Sequence, residues 1–304
     1  MKLIVPDYYE KFTCIADRCK HSCCIGWEID IDEETLRDYR SVGGSFGERL
    51  RAGIEFGEDG ACFRLDENER CPFLNENGLC DIILHLGEER LSQICTDHPR
   101  FCSFYSDRTE IGLGLCCEEA ARILLSRKEP IRLTVLQDDG EEDFLCEEEK
   151  VFFGKRDFLF DIIQDRDLCV SDRMRRILKV FDIELPKKSF DEWLGILLSL
   201  EIMDDAWKAL LSEAREVPIC DTLKNEWENL LWYFIYRHVS DPGRDIRKDV
   251  SFSVFSVAVI RKLFSYLCAR GESVDTETLT ELCRLYSSEI EYSEENTERI
   301  KDFL

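Results

Sequence analysis

The sequence predicts a mainly α chain: an irregular, cysteine-rich N-terminal region with short strands, followed by a helical domain. Three observations predict it. Apolar residues recur at three- and four-residue steps after about residue 150, as one face of a helix requires. Pro186, Pro218 and Pro242 fall between those runs, where helices should break. Eleven of the sixteen cysteines lie within residues 1–117, among glycine-rich and turn-forming stretches. The predicted division is 1–125 as a cysteine-cluster domain, 126–150 as an acidic linker and 151–304 as a helical domain.

In chain order, "GWEIDIDEETLRDYR" reads as a short strand and then a helix, with Asp32 as N-cap and Glu33 and Glu34 in the first turn. "SVGGSFGERLRAGIEFGEDG" reads as a glycine-rich connection around one short amphipathic helix. "CPFLNENGLC" has the signature of a hairpin, with Asn77-Gly78 at the turn and a cysteine near each foot. "GEERLSQIC" is predicted helical up to Pro99, and "CCEEAARILLSRK" opens another helix. "QDDGEEDFLCEEE" carries eight carboxylates and no basic residue, and reads as a solvated loop; it lacks the fixed ligand spacing of a calcium loop. Beyond it, "DEWLGILLSLEIMDDAWKALLSEA", "LKNEWENLLWYFIYRHV" and "TLTELCRLYSSEI" are helical runs.

Composition bounds the function. The chain has 304 residues, 44% of them hydrophobic, enough for a sizeable core. With 64 acidic and 40 basic residues the net charge is −24. That argues against a nucleic-acid track or an anionic membrane surface as partner. The apolar run Leu3 to Val5 is cut by Pro6 and Asp7, far short of a signal-peptide core. No stretch is expected to reach the roughly 18 apolar residues of a membrane helix. "SFSVFSVAVIRKLFSYLC" contains Arg261 and Lys262 and reads as a buried helix. A soluble, cytoplasmic protein is the expectation.

In a reducing compartment, clustered thiols favour metal over disulfides. "CIADRCKHSCC" places Cys14, Cys19, Cys23 and Cys24 within eleven residues. Adjacent Cys23 and Cys24 also suit a mutual disulfide poorly. Zinc takes four Cys or His ligands in close pairs, which Cys95-x-x-His98, Cys71 with Cys80, and Cys19-x-His21-x-Cys23 could supply. An iron–sulfur cluster draws several thiolates from one loop and others from remote positions. The four loop cysteines with remote Cys71, Cys80, Cys95 and Cys117 fit that style. Cys62, Cys102 and the sparse Cys146, Cys169, Cys220, Cys268 and Cys283 read as buried apolar residues. "IGLGLCC" lacks the third glycine of a dinucleotide-binding turn, and a tight turn is preferred for Gly112-x-Gly114.

"YYEKFTCIADRCKHSCCIGWEIDID", "CPFLNENGLCDI", "LGEERLSQICTDHPR" and "CCEEAARILL", in that order, resemble the flagellin lysine-N-methylase family, part of a wider group of CxxCxxCC-type zinc- or iron-chelating proteins. The resemblance covers roughly the first 125 residues; "ENLLWYFIYRHV" adds a weaker likeness. It implies S-adenosylmethionine-dependent methylation of lysine side chains on flagellin. It also implies a [4Fe-4S] cluster on Cys14, Cys19, Cys23, Cys24, Cys71, Cys80, Cys95 and Cys117, with zinc as the alternative. Cys116 is extra relative to the family, and His98 stands where the family carries an aromatic residue. Eight cysteines exceed the four thiolates of one cubane.

Lysine methylation needs a base to deprotonate the ammonium, and a sulfonium donor favours aromatic faces and negative charge. Tyr8, Tyr9, Trp27 and Asp30 surround the cysteine loop in sequence, although core packing is preferred for each aromatic and a local hydrogen bond or cap for Asp30. Trp27 is the aromatic candidate for donor binding, and Arg100 of "HPR" could take the donor's carboxylate. Trp232, Tyr233, Tyr236 and Arg237 share one helical run and read as core; His238 and His85 read as structural or exposed. No catalytic base stands out. The competing function is a non-enzymatic zinc- or iron-binding, redox-sensing protein using the same cysteines.

Overall fold

The computed structural model describes residues 1–57, 60–140 and 144–304. The chain forms two compact units, one of Thr13–Pro99 and one of Met1–Phe12 with Arg100–Leu304. Strand β1 (Lys2–Pro6) belongs to the latter.

The unit Thr13–Pro99 carries β2 (Asp30–Ile31), α1 (Glu33–Ser41), α2 (Gly44–Ala52), β3 (Ile54–Phe56), β4 (Ala61–Phe63), α3 (Asp81–Leu86) and α4 (Gln93–Asp97). The strands form an antiparallel sheet in the order β2-β4-β3. Asp32 is the N-cap of α1, accepting from Thr35 N at 2.9 Å. Its second oxygen accepts from Gln93 N, at the start of α4, at 3.0 Å. One carboxylate therefore serves two helix starts, each of which leaves amide groups without intrahelical acceptors. The apolar interior is built on Tyr39, Phe63 and Phe73; Tyr39 stacks on Phe63, which meets Phe73 edge to face.

The second unit continues with β5 (Arg100–Phe104), β6 (Arg108–Leu113), α5 (Glu118–Leu125) and β7 (Leu133–Asp138). Its sheet runs β5-β6-β1-β7, with β1 parallel to β6 and antiparallel to β7. Helices follow: α6 (Glu147–Ile163), α7 (Val170–Val180), α8 (Phe190–Leu198), α9 (Asp205–Glu213), α10 (Lys224–His238), α11 (Ile246–Ala269), α12 (Thr276–Tyr286) and α13 (Glu294–Phe303). The mainly α expectation holds, and each of the three prolines falls between helices.

Helix α10 is buried on every side from Glu226 to Tyr236, as is appropriate to a helix at the centre of a core. Its two buried carboxylates have cations: Lys128 reaches Glu226 at 2.9 Å, and Arg166 and Arg173 both reach Glu228 at 2.8 Å. Arg156 of α6 and Glu110 of β6, 1% and 2% exposed, pair through two contacts of 2.7 Å. Buried charges persist only when paired and hydrogen-bonded in this way. Helix α11 has the length and apolar composition of a membrane span, against the expectation that no stretch approaches one, but it lies largely buried against the other helices.

Several local expectations need correction. Both ends of the acidic stretch lie in regular elements: Gln137 and Asp138 end β7, and Cys146 with Glu149 forms a capping box on α6. Glu141, Glu142 and Asp143 lie outside the described residues. "DEWLGILLSLEIMDDAWKALLSEA" is two helices, because the Asp204 side chain caps a new start by accepting from Ala206 N. "GEERLSQIC" is a 3-10 turn, Glu88–Arg90, followed by α4. Gly112 is no turn residue. It sits within β6, where a Cβ would come within 2.2 Å of the Phe101 ring on the neighbouring strand. Cys62 and Cys283 are buried, but Cys102, Cys146 and Cys169 are exposed and Cys220 and Cys268 partly so.

Candidate functional site

Of the eight cysteines singled out as ligands, the fold of Thr13–Pro99 brings Cys24, Cys71, Cys80 and Cys95 together. Backbone pairing does most of the work. Cys71 N donates to Cys24 O at 2.9 Å, beside an antiparallel bridge between Ile25 and Arg70. A second bridge joins Leu74 to Cys80. The "NENG" turn closes it, with Gly78 at a φ of +75°, where a side chain would strain the backbone. The predicted hairpin is thus a single bridge rather than a ladder. Asn75 Oδ1 accepts from Asn77 N and Leu79 N, while its amide donates to Asp81 Oδ1 at 2.9 Å. Arg49 holds the other Asp81 oxygen. Cys80 is the N-cap residue of α3, and Cys95 sits in α4.

The four thiols lie close enough for the charge of Cys24 to raise the pKa of the other three, and for Cys80 to raise that of Cys71 and Cys95. Burial pushes Cys71 up to about 12 and Cys95 up to about 11, and raises Cys80. Cys24 goes the other way, to about 7, because the Cys23 side chain hydrogen-bonds it, aided by Ser22 and the charge of Arg70. Backbone N–H groups are aimed at the sulfurs, from Phe73 to Cys71 and from Ile82 and Ile83 to Cys80. Hydrogen bonds to sulfur of this kind support metal-bound thiolates. A cation would also relieve the cost of ionising several buried thiols side by side. The donor set therefore fits one tetrahedral zinc or one cubane cluster. Among the described residues, no three Cys, His, Asp or Glu side chains stand in coordination geometry, so the four thiols form a neighbourhood and not a closed cage.

Cys23 adjoins the group through its side-chain hydrogen bond to Cys24, and the remaining candidates lie elsewhere. Cys14 and Cys19 bond within their own loop: Ala16 N donates to Cys14 Sγ at 3.4 Å, and Cys19 Sγ to His21 O at 3.0 Å. Cys117 belongs to the other unit as N-cap residue of α5, packed against the helical core. Trp27 donates its indole N–H to Cys23 O and lies 5.8 Å, ring to ring, from His98. Arg100 donates to Tyr9 Oη at 2.9 Å and lies over the Tyr9 and Phe12 rings. Tyr8 is buried at 1% exposure, as core packing requires; Asp30 is in β2.

Sequence reading missed a second polar cluster, inside the helical unit. After α12 the chain makes one π-helical turn, Ser287–Glu291, closed by Tyr292 N to Ser287 O at 3.1 Å. Such turns are rare and frequently lie at functional sites. This one turns Glu291 inward, fully buried. Tyr233 Oη donates to Glu291 at 3.1 Å, and His238 Nε2 lies 2.7 Å from it. Arg237 Nη1 donates to Tyr233 Oη at 2.8 Å. Burial alone would raise Glu291; Arg237 and the His238 hydrogen bond outweigh it and hold the carboxyl below its usual range. Burial keeps His238 neutral by lowering its pKa. The same surroundings take in Cys116, whose thiol hydrogen-bonds Tyr292 and is pushed up by burial to about 12. Tyr233 and Arg237 were visible as core residues of one helix. Glu291, 53 residues from His238, carried no signal beyond an acidic run.

An open cleft of about 370 Å³ is lined by Lys11, Arg122, Arg127, Lys128 and Glu129 with Ile123 and Ser126. Its arginines are engaged by Glu119 and Asp7, and Lys128 by Glu226. Its positive lining is the wrong sign for a sulfonium.

Residues 174–304 match the FliB lysine N-methylase C-terminal domain. The chain is 27% identical over 138 residues to a lysine-N-methylase of Salmonella typhimurium (strain LT2) and 27% over 141 residues to one of Salmonella choleraesuis (strain SC-B67), covering 42% of this chain and 34% of the relative in each case. It is 26% identical over 140 residues to the flagellar biosynthetic protein FliU of Salmonella muenchen, covering 42% of this chain and 79% of that protein. The domain match covers less than half of the chain. The matched stretch spans about a third of the two lysine-N-methylases' length. No solved structure matches. The π-turn, Tyr233, Arg237, His238 and Glu291 all lie inside the domain that carries the family match.

Proposed function

We propose that the protein is a cytoplasmic, S-adenosylmethionine-dependent protein-lysine N-methyltransferase acting on flagellin and holding a metal centre, a [4Fe-4S] cluster or zinc, on its cysteines. The observation that carries this reading is the match of residues 174–304 to a lysine N-methylase domain, and the relative named as a flagellar biosynthetic protein points the substrate toward the flagellum. Cys24, Cys71, Cys80 and Cys95 would hold the metal. When bound, it would tie four segments of Thr13–Pro99 into one frame and, as an iron–sulfur cluster, offer a one-electron couple. For the methyl donor, Trp27 offers an aromatic face to a sulfonium. The test is incubation of anaerobically purified, metal-loaded protein with flagellin, S-adenosylmethionine and reductant, followed by mass analysis of flagellin lysines. Successive methyl increments are expected; none on any lysine would overturn the enzyme reading.

One observation favours the second reading, a metal-binding or redox-sensing protein without methylase activity. Four neighbouring thiols are as many donors as one zinc or one cubane takes, which would leave no open position for a substrate. Visible absorbance separates the metals: an iron–sulfur protein is brown and a zinc protein colourless.

A further inference from the structure

The segment between α9 and α10 is pinned to the C-terminal half of α11 at three points. Glu216 meets Lys262 Nζ, Asp221 accepts from Arg261, and Cys220 N donates to Ser265 Oγ at 2.8 Å. Cys268 lies three residues beyond Ser265 and so on the same helix face. Cys220 Sγ lies 3.4 Å from Thr222 Oγ1, and the Cys268 thiol is near enough to Cys220 to feel its charge. Both residues are partly exposed at the edge of the helical core. Neither lies in the cysteine-rich unit, and the proposed function uses neither.

A disulfide requires two backbones already at bridging distance and a route for the oxidant. The Ser265 bond and the two flanking ion pairs fix the backbones, and partial exposure provides the route. We infer that Cys220 and Cys268 form a redox pair, closed by peroxide to a disulfide that fastens the 214–223 segment to helix α11. In the first step the Cys220 thiolate attacks a peroxide oxygen, the O–O bond breaks, and Cys220 becomes a sulfenic acid with release of one water. Cys268 then attacks the Cys220 sulfur, the S–O bond breaks, and the second water leaves. The thiols lose two electrons and two protons, and hydrogen peroxide is reduced to two waters. A dithiol reverses the change by thiol–disulfide exchange.

The test is peptide mapping of the full-length protein after treatment with hydrogen peroxide, acid quenching, alkylation and tryptic digestion without reduction. Residues 216–224 and 263–270 form tryptic peptides with one cysteine each. The expected result is a linked pair lighter by two hydrogens than the sum, abolished by dithiothreitol. In Cys268→Ser the linked species should vanish and the Cys220 peptide should carry a sulfenic-acid adduct of dimedone. Recovery of both peptides fully alkylated, while other cysteines of the same sample are oxidised, would overturn the inference. So would a link of Cys220 to any other cysteine.

Discussion

Among the described residues, the apolar cluster of the unit Thr13–Pro99 has eleven buried members, Tyr39, Phe63 and Phe73 included, whereas the unit carrying the helices buries four of the five tryptophans and encloses α10 on all sides. Their polar devices differ accordingly. In the helical unit, buried carboxylates meet buried guanidinium groups inside a large apolar core, so the core provides the stabilisation and the ion pairs remove the cost of buried charge. In the cysteine-rich unit, two- and three-residue strands, a one-bridge turn and shared helix caps position four thiols around little apolar mass. A small core of that kind is where structural metal contributes most to folding. A dense thiol set and a thin core are thus two aspects of one design, and the helical unit needs neither.

Removing a proposed ligand probes that contrast hardest. Cys71→Ser or Cys95→Ser should abolish stoichiometric metal retention, a larger loss than the roughly 10–100-fold that follows changes to outer-shell partners. Limited proteolysis of these variants should cut within 13–99 and spare the α10–α11 core. Metal content and protease resistance equal to the parent protein would erase the contrast.

Next in size is the Arg156–Glu110 pair. Glu110→Ala leaves a buried guanidinium among Tyr105, Phe152 and Phe153 and should cost about 3–5 kcal/mol in denaturant unfolding. The double change Glu110→Leu with Arg156→Met should recover much of that cost, if the apolar core and not the ion pair carries the stability.

Gly112→Ala tests packing between β5 and β6. The added methyl meets the Phe101 ring, which also carries the Arg237 guanidinium at 5.1 Å, and should cost about 1–3 kcal/mol as overpacking. A neutral effect would show that Phe101 can swing away freely.

Asp32→Ala is the smallest change, about 1 kcal/mol for a lost cap. It also carries a pH signature. Burial alone would raise the Asp32 carboxyl, but hydrogen bonds from Thr35 and Gln93 outweigh it and lower its pKa from 3.8 to about 2. A carboxyl depressed on folding stabilises the native state above its unfolded pKa and loses that contribution as pH falls through the folded value. The difference between parent and variant should therefore be full above about pH 4 and shrink toward pH 2. A difference independent of pH would remove Asp32 from its place at the two helix starts.

How much of this was legible in the sequence depends on range. The Asp32 cap, the helix breaks at Pro186, Pro218 and Pro242, the Asn77-Gly78 turn and the burial of α10 and α11 rest on interactions within one or two turns of chain, which residue type and spacing encode directly. Cysteine density likewise announced a thiol site, and Cys71, Cys80 and Cys95 were among its named members. Where local signals competed, they misled. Gly112 and Gly114 looked like a turn; Gly114 does open one, accepting from Cys117 N at 3.4 Å, but Gly112 lies in a strand and makes room for a ring opposite, which only the pairing of β5 with β6 reveals. The acidic stretch looked like solvated loop because a strand against β1 depends on a partner more than a hundred residues earlier.

By itself, then, the sequence determined the helical half, the caps and turns, the concentration of thiols and the family likeness, because each is written in contiguous residues. Only the tertiary structure decided which thiols gather. Cys24 meets Cys71 through backbone pairing across 47 positions, while Cys14 and Cys19 bond within their own loop. It alone decided that Glu291 faces His238 and Tyr233, and that Cys220 is held to Ser265, one turn from Cys268. The physical reason is common to all three: such contacts join segments far apart in the chain, and burial of the surrounding apolar surface, not any local preference of the residues concerned, brings them into reach.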